Sequence, residues 1–112
     1  MIRFEDVSKE FHTKAGNVQG LNHVNLHISK GDIFGIIGMS GAGKSTFIRC
    51  INYLEHPTSG DVRIDGCRMS GLSERQLREM RKEIGMIFQH FNLLMQKNVL
   101  ENICFSLKMK TP

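Results

Sequence analysis

The sequence predicts an α/β fold arranged around one strand, one loop and one helix. Residues 33–37 form an apolar, β-branched run, a glycine-rich turn follows directly, and a helical pattern continues to Leu54. Two stretches with strand-like alternation precede this unit, and two stretches with helix-capping residues follow it. A chain of 112 residues allows one small domain, and since no linker or repeat interrupts it, we expect residues 1–112 to belong to one α/β domain, of which they are the N-terminal portion.

The glycine-rich turn has the spacing of a phosphate-binding loop. Gly38, Gly43, Lys44 and Ser45 match the pattern GxxxxGK[ST]. In such loops the backbone N–H groups point inward, and the positive end of the next helix faces the same point. Lys44 is expected to contact the β and γ phosphates, Ser45 to bind Mg²⁺, and Thr46 to supply a second hydroxyl. An accidental glycine turn is the alternative, but it would rarely lie between a strand and a helix. The predicted nucleotide-binding residues of this segment are Gly38, Met39, Ser40, Gly41, Ala42, Gly43, Lys44, Ser45 and Thr46.

Three further strands are predicted before and after the loop. Residues 2–7 alternate apolar and polar side chains, and residues 24–28 place Val24, Leu26 and Ile28 on one face. The segment between them, HTKAGNVQG, is predicted to be a loop. Residues 61–65 are predicted to form a short strand that ends in a turn at Gly66.

The last third of the sequence predicts two capped helices and a strand between them. Ser73 and Gln76 form a capping-box pattern for a helix that reaches about Glu83. Residues 84–88 are an apolar run of strand length that ends at Gln89. Asn98 and Glu101 form a second cap, and the predicted helix carries an apolar face made of Leu100, Ile103, Cys104 and Leu107.

Composition excludes several classes of protein. The net charge is +4, yet the basic residues are dispersed and are not interleaved with aromatic residues, so we expect no nucleic-acid partner. No apolar run approaches the roughly 18 residues of a membrane span, and the start does not resemble a signal peptide, which predicts a cytoplasmic protein. Cys50, Cys67 and Cys104 lack metal-binding or CxxC spacing and are expected to be reduced, buried thiols.

The order of these motifs resembles the ATP-binding subunits of ABC transporters. The segments VSKEF, GMSGAGKST, SGDVRIDG and IGMIFQHFNLL occur in the order and spacing of that family, and the resemblance covers essentially the whole chain. The segments SGAGKST, FIRCINYLEHPTSG and FQHFNLL are most similar to the methionine-import branch, with importers of polar amino acids as the alternative. The resemblance implies a P-loop fold with an antiparallel N-terminal β subdomain and part of a RecA-like core, in a truncated form.

The resemblance also implies roles for individual residues. Phe11 would stack on adenine, although a core aromatic is the alternative at this position. Gln89 would be the Q-loop residue that contacts Mg²⁺ and the attacking water, acting with Lys44 in catalysis and with Ser45 at the metal. Phe91, Leu93 and Leu94 would lie near a membrane partner, with plain burial as the alternative.

The family acts through further motifs that are absent from these 112 residues. They are the LSGGQ signature, the strand that ends in Asp followed by the catalytic Glu, and the switch histidine. The resemblance implies a subunit that hydrolyses ATP to drive methionine import through a separate permease, with a substrate-binding protein and a second ATP-binding subunit in the complex. It would be peripheral on the inner face of the cell membrane. We expect this chain alone to be inactive, and a non-catalytic nucleotide-binding fragment is the alternative function.

Overall fold

A computed structural model describes residues 1–87 and 93–110, with the side chains of residues 106, 109 and 110 left aside. The chain divides into two units, Met1–Leu77 and Arg78–Pro112. The first unit contains the sheet and the phosphate loop. The second unit contains the last helix and the apolar run that begins at Ile84, of which residues 84–87 are described.

The first unit is organised by a four-stranded antiparallel sheet. Its strands are β1 (Ile2–Thr13), β2 (Gly16–Ile28), β3 (Ser59–Ile64) and β4 (Cys67–Arg68), in the order β2-β1-β3-β4. The predicted strands at residues 2–7, 24–28 and 61–65 are therefore confirmed, although β1 ends six residues later and β2 begins eight residues earlier than predicted. The predicted loop HTKAGNVQG is wrong, because β1 and β2 pair as far as Thr13 and Gly16 and leave only Lys14 and Ala15 as the turn.

The core lies between this sheet and helix α1 (Lys44–Ile51), which begins directly after the phosphate loop. Phe47 of α1 packs on Phe4 of β1 with ring centroids 4.6 Å apart. Both are buried, as is Cys50 one turn later, whereas Cys67 and Cys104, also predicted to be buried, are only half-buried. The remaining buried core residues of this unit are Val7, Leu21, Tyr53, Val62, Ile64, Met69 and Leu77. This packing fixes α1, and with it the end of the phosphate loop, against the centre of the sheet.

The two apolar runs predicted to be buried strands do not form strands. Residues 33–37 and the described residues 84–87 have no regular secondary structure, and Ile33, Ile37 and Ile87 are almost fully exposed. An apolar run becomes a strand only when neighbouring strands supply hydrogen bonds and cover its side chains. Within the described residues no strand pairs with either run, so both predictions are wrong for this chain. Phe88, the last residue of the second run, lies outside the described residues.

Both predicted helix caps are present. In the first, Ser73 N–H donates to Gln76 Oε1 at 2.9 Å and Gln76 N–H donates to Ser73 Oγ at 3.3 Å, opening α2 (Glu74–Arg81). In the second, Glu101 N–H donates to Asn98 Oδ1 at 2.9 Å, at the start of α3 (Val99–Lys110). A short 3₁₀ turn at Met69–Gly71 precedes α2. No helix among residues 1–87 and 93–110 has the length and apolar character needed to span a membrane.

Candidate nucleotide-binding site

The phosphate loop is a hydrogen-bonded glycine turn that leads directly into α1. Its fold is set by the hydrogen bond from Ala42 N–H to the Met39 carbonyl at 3.0 Å and by positive φ angles of 84° at Gly41 and 98° at Gly43. The first hydrogen bond of the helix runs from Phe47 N–H to the Gly43 carbonyl at 2.9 Å. The amides of residues 44–46 precede this bond, so their N–H groups form the positive end of α1.

Lys44 places its ammonium group over the loop. Lys44 Nζ donates to the Gly38 carbonyl at 2.5 Å and to the Met39 carbonyl at 2.8 Å. The first turn of α1 contains no acidic side chain. The first residue of α1 is therefore a lysine and the first turn holds no negative charge, an electrostatic arrangement that favours a phosphate group.

Gly43 is held against the hairpin by close contact with another glycine. A side-chain carbon built on Gly43 would overlap the Gly20 carbonyl oxygen, which belongs to β2. The positive φ of Gly43 would disfavour such a carbon independently. Glycine is therefore required at residue 43 both by the backbone conformation and by the closeness of β2, and the contact fixes the loop relative to the sheet.

Phe11 of β1 lies beside the first turn of α1. A carbon built on Gly20 would be 2.9 Å from Phe11 Cε2 and 3.2 Å from Thr46 Cγ2, so the aromatic edge and the threonine border the same small residue. Phe11 is half-buried and is not one of the buried core residues. The structure thus brings together the predicted aromatic and the predicted phosphate loop, which are separated by about thirty residues of sequence.

The hydroxyl group predicted to bind metal belongs to an exposed residue. Ser45 is exposed in the first turn of α1, next to Lys44. Among residues 1–87 and 93–110, no group of three or more His, Cys, Asp or Glu side chains is arranged to hold a metal ion. A single hydroxyl suits Mg²⁺ that receives its other oxygens from phosphates and water.

Gln89, predicted to be catalytic and to contact Mg²⁺, lies outside the described residues, so its position stays a prediction. The same holds for Phe91, predicted to lie near a membrane partner. Nearby in sequence, Leu93 is exposed and Leu94 is half-buried. The side chain of Asn102 holds their segment by donating to the carbonyls of Leu94, Lys97 and Asn98 at 3.3, 3.2 and 2.8 Å. Because the Leu93 side chain is exposed, the alternative of plain burial is wrong for this residue.

Sequence reasoning missed three residues that shape the site. Gly20 borders both Phe11 and Gly43, and a glycine inside a strand is a known signal of close backbone approach. Lys9 lies over the Phe11 ring and pairs with Glu55. The twofold alternation of a strand places residues 9 and 11 on one face, which was a usable signal for Lys9. The pairing with Glu55 depends on tertiary structure.

Comparison with known proteins places this site in a family. The family model described as ABC transporter matches residues 21–111. Methionine import ATP-binding protein MetN 1 of Staphylococcus epidermidis is 53% identical over 109 residues, which make up 97% of this chain and 32% of that protein. The chain spans about a third of the length of the curated relatives it matches.

Two solved structures have the same backbone path. One is the dimeric structure of MJ0796, a bacterial ABC transporter cassette, with a TM-score of 0.95 and 36% identity over 100% of this chain and 49% of that one. The other is MJ0796 in a post-hydrolysis state bound to ADP and Pi, with a TM-score of 0.93 and 36% identity over 99% of this chain and 48% of that one. The family match, the phosphate loop and the backbone agree, and the chain belongs to the ABC transporter family, as part of its ATP-binding cassette.

Proposed function

We propose that the chain is the ATP-binding part of the energy-coupling subunit of a methionine importer. The observation that carries the proposal is the phosphate loop, a hydrogen-bonded glycine turn that leads directly into α1 and whose Lys44 ammonium lies against the Gly38 and Met39 carbonyls. The solved cassette bound to ADP and Pi, which has the same backbone path, supports a nucleotide as the ligand.

The phosphates of ATP would bind at the loop formed by residues 38–46. Lys44 would exchange its two carbonyl acceptors for phosphate oxygens, and the free amides at the start of α1 would donate to the same phosphates. Phe11, beside Thr46, would supply the face on which adenine stacks. The half-buried state of Phe11 supports this role over that of a core residue.

Mg²⁺ would bind next to these phosphates through the Ser45 hydroxyl, with Gln89 as a further ligand. When bound, the ion would neutralise charge on the phosphates. Gln89 would also orient the water that attacks the γ-phosphate. The remaining contribution of this chain to hydrolysis would be positioning and electrostatic stabilisation by Lys44 and by the helix end.

Methionine is proposed as the transported substrate because the relative named above is a methionine import protein. The complex would contain a membrane permease, a substrate-binding protein and a second ATP-binding subunit, with this chain at the inner face of the cell membrane. The exposed side chain of Leu93 supports a role for its segment in contacting the permease. Disruption of the gene should abolish uptake of labelled methionine and leave uptake of glutamine and histidine unchanged. Loss of glutamine or histidine uptake instead would favour the polar amino-acid alternative.

The direct test of nucleotide binding is Lys44→Ala. The substitution removes a charge-assisted contact worth about 1.5 to 3 kcal/mol, so ATP affinity should fall about 10- to 150-fold. Isothermal titration with Mg-ATP measures this change. Lys30→Ala, which removes an exposed lysine from the turn after β2, is the matched control and should bind as wild type does. Equal affinities in wild type and Lys44→Ala would overturn the role of Lys44.

A non-catalytic nucleotide-binding module is the second candidate function, because these 112 residues contain no signature motif and no catalytic carboxylate after an apolar strand. We propose that by themselves they bind ATP and release phosphate no faster than background. Phosphate release by the purified chain, measured beside Lys44→Ala, tests this. Turnover that disappears in Lys44→Ala would contradict it and would require a catalytic carboxylate within these residues.

A further inference from the structure

Lys9 is a partly buried cation that the phosphate loop does not use. Lys9 Nζ lies over the Phe11 ring, 5.2 Å from its centroid, and only 17% of the side chain is exposed. Lysine side chains are rarely covered to this extent unless the charge has partners. Here the partners are the face of an aromatic ring and one carboxylate.

The carboxylate belongs to Glu55, in the turn that follows α1. Glu55 Oε2 lies 3.6 Å from Lys9 Nζ, and 29% of the Glu55 side chain is exposed. The turn itself is fixed, since Glu55 N–H donates to the Arg49 carbonyl at 3.1 Å. Glu55 therefore holds the ammonium from the end of the helix whose other end forms the phosphate loop.

The same turn is attached to β1 on both sides of Lys9. Thr58 N–H donates to the Ser8 carbonyl at 2.8 Å, and Thr58 Oγ1 accepts from Glu10 N–H at 2.9 Å. These hydrogen bonds fix the strand segment that carries Lys9 and Phe11 against the turn that follows α1. Both ends of α1 thus contact the environment of Phe11, one through Thr46 and Gly20 and the other through Glu55 and Lys9.

We propose that Lys9 is a positioning residue for the nucleotide base. Its ammonium, held by Glu55, covers one face of the Phe11 ring and leaves the opposite face for adenine. The edge of the ring is limited by Gly20 and Thr46, so the contact with Lys9 fixes the remaining freedom of the aromatic plane. The inference rests on the proposed binding of ATP at this loop, and it extends that function to a residue outside the phosphate loop.

The test compares two ligands that share phosphates and differ in the base. Affinities for Mg-ATP and for inorganic triphosphate are measured by titration calorimetry on the whole chain, for wild type, Lys9→Met, Lys9→Arg and Lys14→Met. Lys9→Met keeps the length of the side chain and removes the charge, so ATP affinity should fall about 3- to 30-fold, the range of a cation–π contact, while triphosphate affinity stays unchanged. Lys9→Arg should retain ATP affinity.

Lys14→Met is the matched control, because Lys14 is an exposed lysine in the turn between β1 and β2 and its loss changes the net charge equally. It should bind both ligands as wild type does. A second measurement separates positioning from a general loss of stability: in a Phe11→Ala background, Lys9→Met should cause no further loss of ATP affinity.

Three results would overturn the inference. They are unchanged ATP affinity in Lys9→Met, an equal loss of affinity for ATP and triphosphate, and a loss that persists in the Phe11→Ala background. Each leaves the proposed function intact, since wild type would still bind ATP. Wild-type protein that binds neither ligand would overturn the proposed function, and the inference with it.

Discussion

Replacing Gly43 by alanine should destabilise the protein and disable its phosphate loop. Gly43 has a φ of 98°, and a carbon built on it would overlap the Gly20 carbonyl oxygen. A left-handed backbone costs a residue with a side chain about 1 to 2 kcal/mol. Overlap with a fixed backbone atom adds about 1 to 3 kcal/mol, as overpacking does elsewhere. Gly43→Ala should therefore lower the free energy of unfolding by about 2 to 5 kcal/mol.

Gly66→Ala is the control that separates these two costs. Gly66 also has a positive φ, 80°, but a carbon built on it has nothing within 4 Å. The Gly66→Ala substitution should lower the free energy of unfolding by only about 1 to 2 kcal/mol and leave ATP affinity as in wild type. Urea unfolding followed by circular dichroism measures stability, and calorimetry measures ATP binding. If Gly43→Ala is no more destabilised than Gly66→Ala, the proposed contact between the loop and β2 is wrong.

Three further predictions concern other parts of the molecule. Ser45→Ala should raise the Mg²⁺ concentration needed for ATP binding, because it removes the proposed hydroxyl ligand; a magnesium titration with the wild-type midpoint would contradict this. Burial raises the pKa of the Cys50 thiol from 9.0 to about 11. Between pH 9 and about pH 11 the folded protein therefore keeps a proton that the unfolded chain releases, and the free energy of unfolding should fall by about 2 to 3 kcal/mol over this range. Cys50→Ala should make this fall shallower in urea unfolding across that range, and an identical slope would refute the assignment. Ser73→Ala should cost about 1 kcal/mol through loss of the cap on α2, and unchanged urea unfolding would contradict it.

The sequence alone was sufficient to predict a glycine turn that leads into a helix and the starts of the two later helices. The GxxxxGK[ST] spacing identified the loop because glycines and a lysine at these positions follow from local backbone geometry. The caps at Ser73 and Asn98 were predictable for the same reason, since each joins residues only three apart. Such features can be predicted from the sequence because each depends on residues that are close together along the chain.

The strands show where local patterns stop being sufficient. Residues 33–37 have the composition of a buried strand, yet a strand exists only when another segment pairs with it, and no described segment does. Conversely, the segment HTKAGNVQG was predicted to be a loop because of its turn residues, but most of it belongs to a hairpin. The pairing of β1 with β2 extends beyond the apolar positions from which each strand was predicted. Pairing is a property of two segments and cannot be read from either alone.

The surroundings of Phe11 were decided only by tertiary structure. The sequence marked the aromatic residue and the phosphate loop separately. Gly20 joins them because it is small enough for both Phe11 and Thr46 to approach it, and Glu55 reaches Lys9 because the turn after α1 is bonded to β1. Gly20 and Thr46 are 26 positions apart in the sequence and Lys9 and Glu55 are 46 apart, and the packing of α1 on the sheet brings them together.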